Sequence, residues 1–486
     1  MGEWSNWQNY QEAVAEAYRR LGYTAETDQK VDGARGCHDV DVLVTHQRHG
    51  IAITWIVECK LWKTRVNKSH IITLQGIVTD VGADRGFLFS ESGFQSGGEK
   101  MAGVSNVTLV TSLADFVGTA HADVAPGSPP LSEVSGAEGA PPVLRLPGEK
   151  PRPQHITNYQ DLLVVGDWGA GTIFFIHPAE RKVTGRINLD KYEAVKPGGE
   201  RKVRSHVPGS FVVVGEKLFL AQVFSDYVLA IDLPTYSIVN RIPIPGGGEG
   251  SLTATADGDY VFFASNMSNA LYEIDANTYG VTEFTYPAGG RGSMSIALSP
   301  QQEAVYVGIQ RGYTSDDAAR PPGGCFLSKF DRSTRAFSDS VPLYEVNSGA
   351  ADSSTPACIL PDPHSNQIYI GMFQGRRGVV VVEPDPLRIV NSFSPGTNEH
   401  NQHFDWVDPL AMKFHHGRIL AIFRNNRELV AMDPGSLEVQ DRIFLGDAPN
   451  GPRDLTILGN QVVITYPEKA GLIVLDWGSD RAADPN

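Results

Sequence analysis

The sequence predicts two folds in succession: an α/β N-terminal domain over residues 1–118 and an all-β seven-bladed propeller over 156–480. Three observations carry that expectation. Up to Val110, amphipathic helical stripes are interleaved with short β-rich apolar runs. Residues 119–155 turn to Pro, Gly, Ser, Ala and Glu, the composition of a linker with no packed core. Beyond them, short apolar strands recur, each ending in an acidic or polar residue and a turn. A chain of 486 residues has length for two or three domains with full cores.

Taken in order, Trp7, Tyr10, Val14, Tyr18 and Leu21 recur at helical spacing and stop at Gly22, which predicts a helix over 6–21. Thr24 to Val31 reads as a strand, followed by the loop Asp32-Gly33-Ala34-Arg35-Gly36. His38 to Val44 alternates acid and apolar residues at its start, and Ile51 to Val57 is a β-rich run, so both read as strands. His49-Gly50 can supply the turn between them, the glycine accepting the positive φ that such turns need. Ile71, Leu74, Val78 and Val81 predict a second helix over 67–81. Phe87 to Ser90 and Val107 to Val110 read as buried strands separated by a short helix.

Chemistry is expected at the hairpin. With that turn, residues pair when their numbers sum to 99, which sets Asp41 opposite Glu58 and Asp39 opposite Lys60 on one face, with Cys59 turned into the core. Two carboxylates at cross-strand distance repel unless a cation lies between them. Mg²⁺ fits, because it prefers oxygen and takes only one or two carboxylates while keeping waters and substrate phosphate; Mn²⁺ is an alternative. Asp41 and Glu58 are therefore the expected metal ligands, and Lys60 can orient or deprotonate a water and stabilise charge at phosphorus. An acid-x-Lys tripeptide alone says little, since Asp28-Gln29-Lys30, Glu180-Arg181-Lys182 and Glu200-Arg201-Lys202 match it too. None of those has an acid presented by a partner hairpin. The bland alternative for 41/58/60 is a set of surface salt bridges, which contribute little.

Asp41, then Glu58-Cys59-Lys60 closing an apolar strand, then a helix carrying Gln75, resembles the PD-(D/E)xK restriction-endonuclease superfamily, in particular its Mrr-like branch, from Trp4 to Phe116. The resemblance implies a restriction-endonuclease-like α/β fold and a Mg²⁺-dependent nuclease. In that family the strand acid and the Glu bind the metal, the Lys assists the water, and a Gln on the next helix supports the site. The implied catalytic set is Asp41, Glu58, Lys60 and Gln75, with an ordinary helix-flank amide as the alternative for Gln75. The proline of the motif's name is missing, as it often is in this branch. Related families often carry a Glu on the first helix. By spacing, Gln11 stands in its place and Glu12 is one residue out, which leaves that helix's chemical role open.

In the C-terminal half, the strand-ending residues His177, Asp232, Asp275, Asp331, Glu383, Asp433 and Asp476 are spaced by 55, 43, 56, 52, 50 and 43. Those intervals approach the roughly 40 to 50 residues of a four-stranded blade, with insertions at Lys191 to His206 and Gly312 to Gly324. A further strand follows each repeat except the last, which stops at Trp477. An open edge is a liability, so Val143 to Leu146 is the expected ring-closing strand. The repeats resemble YVTN-type or quinoprotein-like propellers and lack the Gly-His and Trp-Asp punctuation of WD40 repeats.

The histidines 400, 403, 415 and 416 match no ligand spacing and read as polar loop residues near one mouth of the ring. The basic run from Lys196 to Arg204 reads as a solvated insertion, and Asp167-Trp168-Gly169-Ala170-Gly171 as a turn rather than a dinucleotide fingerprint. Four widely spaced cysteines fit neither a zinc pattern nor a disulfide framework and are expected to be reduced and structural.

The net charge of −15 argues against a generic polyanion binder, although Lys60, Lys63, Arg65 and Lys68 cluster at the proposed site. No apolar run is long enough to span a bilayer and the N-terminus lacks signal-peptide features, so the cytoplasm is the expected compartment, with no membrane partner. The function expected is phosphodiester hydrolysis, with DNA as substrate by resemblance. The propeller is expected to bind a partner protein or a trigger, and the pairing suggests a bacterial defence role by association. The rivals are an inactive nuclease-like domain in a binding protein and a propeller hydrolase with a metal in the ring's channel.

Overall fold

The computed structural model describes residues 6–477, except 21–22, 49–50, 103–104, 114–130, 137, 190, 196–200, 224, 246–249, 288–291, 311–323, 344–354, 375–376, 402–406 and 449. The chain forms two compact units, residues 1–122 and 123–486.

In the first unit the order is α1 (Trp7–Arg20), β1 (Thr24–Asp32), β2 (Cys37–Arg48), β3 (Ile51–Cys59), α2 (Lys68–Val81), β4 (Arg85–Phe89), α3 (Ser96–Ala102) and β5 (Val107–Val110). The strands form one sheet in the order β1-β2-β3-β4-β5, antiparallel through β3 and parallel from there to β5. A 14-residue helix is marginal alone, so packing must hold α1 in place. Its Tyr10, Val14, Ala17 and Tyr18 are buried against Val42, Val44, Val57, Cys59 and Phe89. Each such large side chain contributes about 1.5–3 kcal/mol on full burial. The Ile71, Leu74 and Val78 stripe of α2 packs with Val40, Ile56 and Leu88 in a second core. Asn67 caps α2 by accepting from Ser69 N, and Gly82 ends it with φ 73°.

A salt-bridged lock fixes the loop before β2. The buried Asp80 carboxylate accepts from Arg35 Nε at 2.6 Å and pairs with His38 Nε2 at 2.7 Å, and the Arg35 and His38 contacts hold its pKa down at about 2. Gly33 is required beside it, because a Cβ there would run into that carboxylate.

The second unit is a ring of seven sheets. Blades 1 to 6 are four-stranded and span 153–188, 207–243, 250–285, 293–342, 355–393 and 409–444. The seventh joins Leu455–Leu458, Gln461–Tyr466 and Gly471–Asp476 to Val143–Arg145 and Glu133–Val134. Val143 pairs with Ile473 and Leu144 with Leu472, so a segment from the start of the unit closes the last blade. The first strand of blade 1 is also stitched to blade 7: Ile156 N donates to Asp454 Oδ2 at 3.1 Å, and Gln154 O accepts from Thr465 Oγ1 at 3.2 Å.

Composition alone suggests a coreless 119–155, yet Leu131, Leu144 and Leu146 are buried between the seventh and first blades, and Pro153 already begins blade 1. A few apolar residues diluted by Pro and Gly are enough for edge strands. The insertion after blade 1 forms a separate hairpin of Lys191–Val195 and Arg201–Ser205, while 196–200 and most of Gly312 to Gly324 lie outside the described residues.

The recurring acids have a local cause. Asp275 Oδ1 accepts from Asn277 N and Thr278 N; Asp331 Oδ1 from Ser333 N, Ser333 Oγ and Thr334 N; Asp433 Oδ1 from Gly435 N and Ser436 N. Each carboxylate thus holds the turn between a blade's third and fourth strands, and a residue with positive φ follows it: Tyr279, Arg335 or Leu437. Hydrogen bonds from the turn's hydroxyl and backbone groups lower the pKa of all three, Asp331 to about 2.

Among the described residues no helix is long and apolar enough to cross a membrane. The four cysteines are free. Cys59 and Cys325 are buried, but Cys37 is exposed at the start of β2 and is no part of a core.

Candidate active site

The hairpin register follows the sum of 99, from Arg48↔Ile51 to Val42↔Val57, although the turn residues His49 and Gly50 lie outside the described residues. The expected direct pairs Asp41–Glu58 and Asp39–Lys60 do not form. The β2–β3 ladder stops at Val42, and Glu58 and Cys59 pair instead in parallel with Leu88 and Phe89 of β4. The pairing of β2 with β1 likewise omits Asp41 and Asp28, and Asp28 takes φ 53°. The strand turns at this point. Val40 and Val42, two residues apart and expected on one face, enter different cores.

The break frees the Asp41 side chain to gather its neighbours. Its Oδ2 accepts from Cys59 N at 2.6 Å and lies 3.7 Å from Lys60 Nζ; Lys60 Nζ donates to Glu58 Oε2 at 2.7 Å. Asp41, Glu58 and Lys60 are 14, 15 and 20 % exposed, so the triad is largely withdrawn from water. Asp39 is not part of it. Its side chain is 85 % exposed and lies 3.8 Å from Lys30.

Burial and then the Asp41 charge raise the pKa of Glu58, and Lys60 only partly offsets them. For Lys60, burial pulls the pKa down, but the Glu58 and Asp41 carboxylates outweigh it and leave it raised. This is the electrostatics of a site with more negative charge than one ammonium can balance.

Gln11 is the residue that sequence spacing underweighted. It is 1 % exposed, and its Nε2 donates to Asp41 Oδ1 at 3.0 Å, with Asp28 Oδ1 and Asp41 O both at 3.4 Å. Each Asp41 oxygen therefore has its own donor, Gln11 on one and Cys59 N–H on the other. Glu12 turns away and pairs with Arg19 at 2.5 Å. Gln75 is half-buried on α2, and among the described residues no hydrogen bond joins its side chain to the triad.

The donor set suits a hard divalent ion. Two carboxylates meet the usual protein contribution to a Mg²⁺ site, and the raised pKa of Glu58 marks the charge that a cation would relieve. Among the described residues there is no group of three or more His, Cys, Asp or Glu side chains able to hold a metal. That holds for the ring's channel, where His155 Nδ1 lies 3.7 Å from Asp454 Oδ2 beside Cys358 and Lys413. His400 stacks on Phe444 at 4.0 Å, and the His415 and His416 rings lie 4.0 Å apart tilted at 46°, while His403 lies outside the described residues.

Residues 3–114 match the family model Mrr_cat, a restriction endonuclease family. No curated protein matches the chain. Among solved structures, hydrazine synthase of Kuenenia stuttgartiensis is similar at 14 % identity and a TM-score of 0.51, covering 68 % of this chain and 97 % of its own. The β-propeller domain of Cps50 (Swd1) from Myceliophteria thermophila gives 12 % identity, a TM-score of 0.49, and 69 and 98 % coverage. At such identities a likeness speaks to fold alone. The N-terminal unit is thus a restriction-endonuclease domain of the Mrr catalytic type, carried in one chain with a seven-bladed β-propeller.

Proposed function

We propose that the chain is a divalent-metal-dependent nuclease that hydrolyses phosphodiester bonds, with DNA as its substrate. One observation carries the reading: Asp41, Glu58 and Lys60 converge in a largely buried cluster, where burial first and then the Asp41 charge raise the pKa of Glu58.

Asp41 and Glu58 would hold Mg²⁺ or Mn²⁺, which when bound supplies an acidified water and screens the charge on the phosphate. The chain's own groups do the rest. Gln11 and the Cys59 N–H fix the two Asp41 oxygens, so that the carboxylate does not turn to meet Lys60 alone. Lys60, held beside Glu58 and Asp41, is placed to donate to the phosphate oxygen that gains charge. Gln75, on the helix that follows, is assigned a supporting role only.

The net charge of −15 belongs mainly to the rest of the chain, since residues 1–118 hold 14 acidic and 11 basic residues. Local cations, not the overall field, must then bring the polyanion in. The propeller is assigned the recognition of a partner protein or trigger, in keeping with a defence role; the cytoplasm is the compartment this reading implies.

Plasmid nicking with Mg²⁺ tests the proposal. Wild type should cut, and Asp41→Ala and Lys60→Ala should fall to background. A wild type that cuts no nucleic acid supports instead an inactive nuclease-like domain in a propeller-based binding protein.

A further inference from the structure

Trp62 lies two residues past Lys60 and is 43 % exposed, a large apolar surface left open beside the proposed site. The sequence that follows it is cationic. Lys63, Arg65 and Lys68 are exposed, no Asp or Glu occurs from Cys59 to Thr79, and among the described residues none of these three cations has an ion-pair partner.

The segment that carries them is anchored. Val66 bridges to Phe94, its N–H donates to Gly93 O at 3.0 Å, and its carbonyl accepts from Gln95 N at 2.9 Å. Ser92 Oγ donates to Thr64 O at 2.7 Å, and Asn67 caps α2. The indole is itself oriented, standing edge-on to His70 with centroids 4.8 Å apart at 79°. An oriented tryptophan on a fixed backbone is a contact surface rather than a frayed loop.

Two occupants compete for it. A second copy of the chain would meet it across a two-fold axis, which is self-complementary and brings Lys63, Arg65 and Lys68 against their own counterparts, with no acid in the segment to neutralise them. A polyanion meets no such penalty. An aromatic face framed by cations is also how proteins hold unpaired nucleotides, the base stacking while the backbone is tracked by charge. A base inside a duplex has both faces covered and cannot be received in this way without first leaving the stack.

We propose that Trp62, framed by Lys63, Arg65 and Lys68, is a stacking platform for one base beside the scissile phosphate, so that the site takes nucleic acid with unpaired nucleotides there. The inference rests on the nuclease reading and narrows its substrate class.

The test uses the full chain with Ca²⁺ in place of Mg²⁺, a single-stranded DNA oligonucleotide carrying 2-aminopurine, and its fully paired duplex. Wild type should quench the 2-aminopurine signal. Trp62→Ala should lose the quenching and bind the single strand about 5- to 150-fold more weakly, the range expected for one stacked base, with a smaller change on the duplex. Trp62→Phe should recover most of both, which guards against a folding defect. Unchanged single-strand affinity in Trp62→Ala overturns the proposal, as does a wild-type dimer that Trp62→Ala converts to monomer. Nicking assays separate the two readings. If wild type nicks no nucleic acid, the nuclease reading falls and this one with it; if wild type nicks and Trp62→Ala matches it in every binding measurement, only the stacking platform falls.

Discussion

The two units use carboxylates to opposite electrostatic ends. In the ring, Asp275, Asp331 and Asp433 each face the hydroxyl and backbone N–H groups of a turn, the Ser333 hydroxyl foremost for Asp331, and those donors lower their pKa. In the N-terminal unit, Glu58 faces burial and another carboxylate, and its pKa is raised. An acid that the backbone satisfies is part of the fold and asks for nothing more. An acid set against another acid is a standing cost to the fold, and it becomes intelligible when a cation and a reaction are added.

The largest expected effect breaks this comparison most cleanly. Asp41→Ala should take Mg²⁺-dependent nicking to background while the protein stays folded, and Asp331→Ala should leave nicking unchanged while lowering the ring's melting temperature by about 1–3 °C. Nicking assays and differential scanning calorimetry on both variants read the contrast. Equal loss of activity in the two would mean that the acids are not distinct in kind.

Next in size is the donor that fixes Asp41. Gln11→Ala should lower the rate about 10- to 100-fold, as removal of an outer-shell partner does, whereas the neighbouring Glu12→Ala should stay close to wild type. Steady-state kinetics on the pair decide whether the contact matters or only the helix.

The pH dependence sharpens the comparison further, because the signs differ. Glu58 is raised, so its proton competes with the cation above the usual carboxylate range. Divalent affinity should fall by up to about tenfold per pH unit once the pH is below that raised pKa, which calorimetric titration would show. In the metal-free protein, the stability contributed by the Glu58 proton is present at low pH and is lost as pH rises through its raised pKa. Asp331 runs the other way. Its contribution is present above the ordinary value of 3.8 and lost as pH falls toward about 2. The smallest effect belongs to Gln75, whose side chain makes no described hydrogen bond to the triad: Gln75→Ala should change the nicking rate less than about threefold, the scale of a lost marginal contact.

Much of this arrangement can be read in the sequence, and what cannot has identifiable causes. Alternation with period two and one tight turn are enough to fix the 42/57 register. They cannot show that the ladder ends there, because it ends through a side chain, with Asp41 taking the Cys59 N–H and the strand turning beneath it. Gln11 sits 30 residues from the carboxylate it orients, and a lone amide on an apolar helix face gives no local sign of such a partner. In the ring, periodicity exposes the repeating acids and their number of blades, but the turn hydrogen bonds that explain them depend on backbone geometry. The apolar island Val143 to Leu146 is legible as the strand that closes the ring, whereas the two-residue strand at 133–134 is hidden by the Pro- and Gly-rich composition around it.

The central claim is that two carboxylates in the N-terminal unit hold a divalent ion. Mn²⁺ binding followed by electron paramagnetic resonance on wild type, Asp41→Asn, Glu58→Gln and Asp331→Asn tests it without requiring catalysis. One site is expected in wild type and in Asp331→Asn, with its loss or marked weakening in the other two. Equal affinity in all four proteins would contradict it.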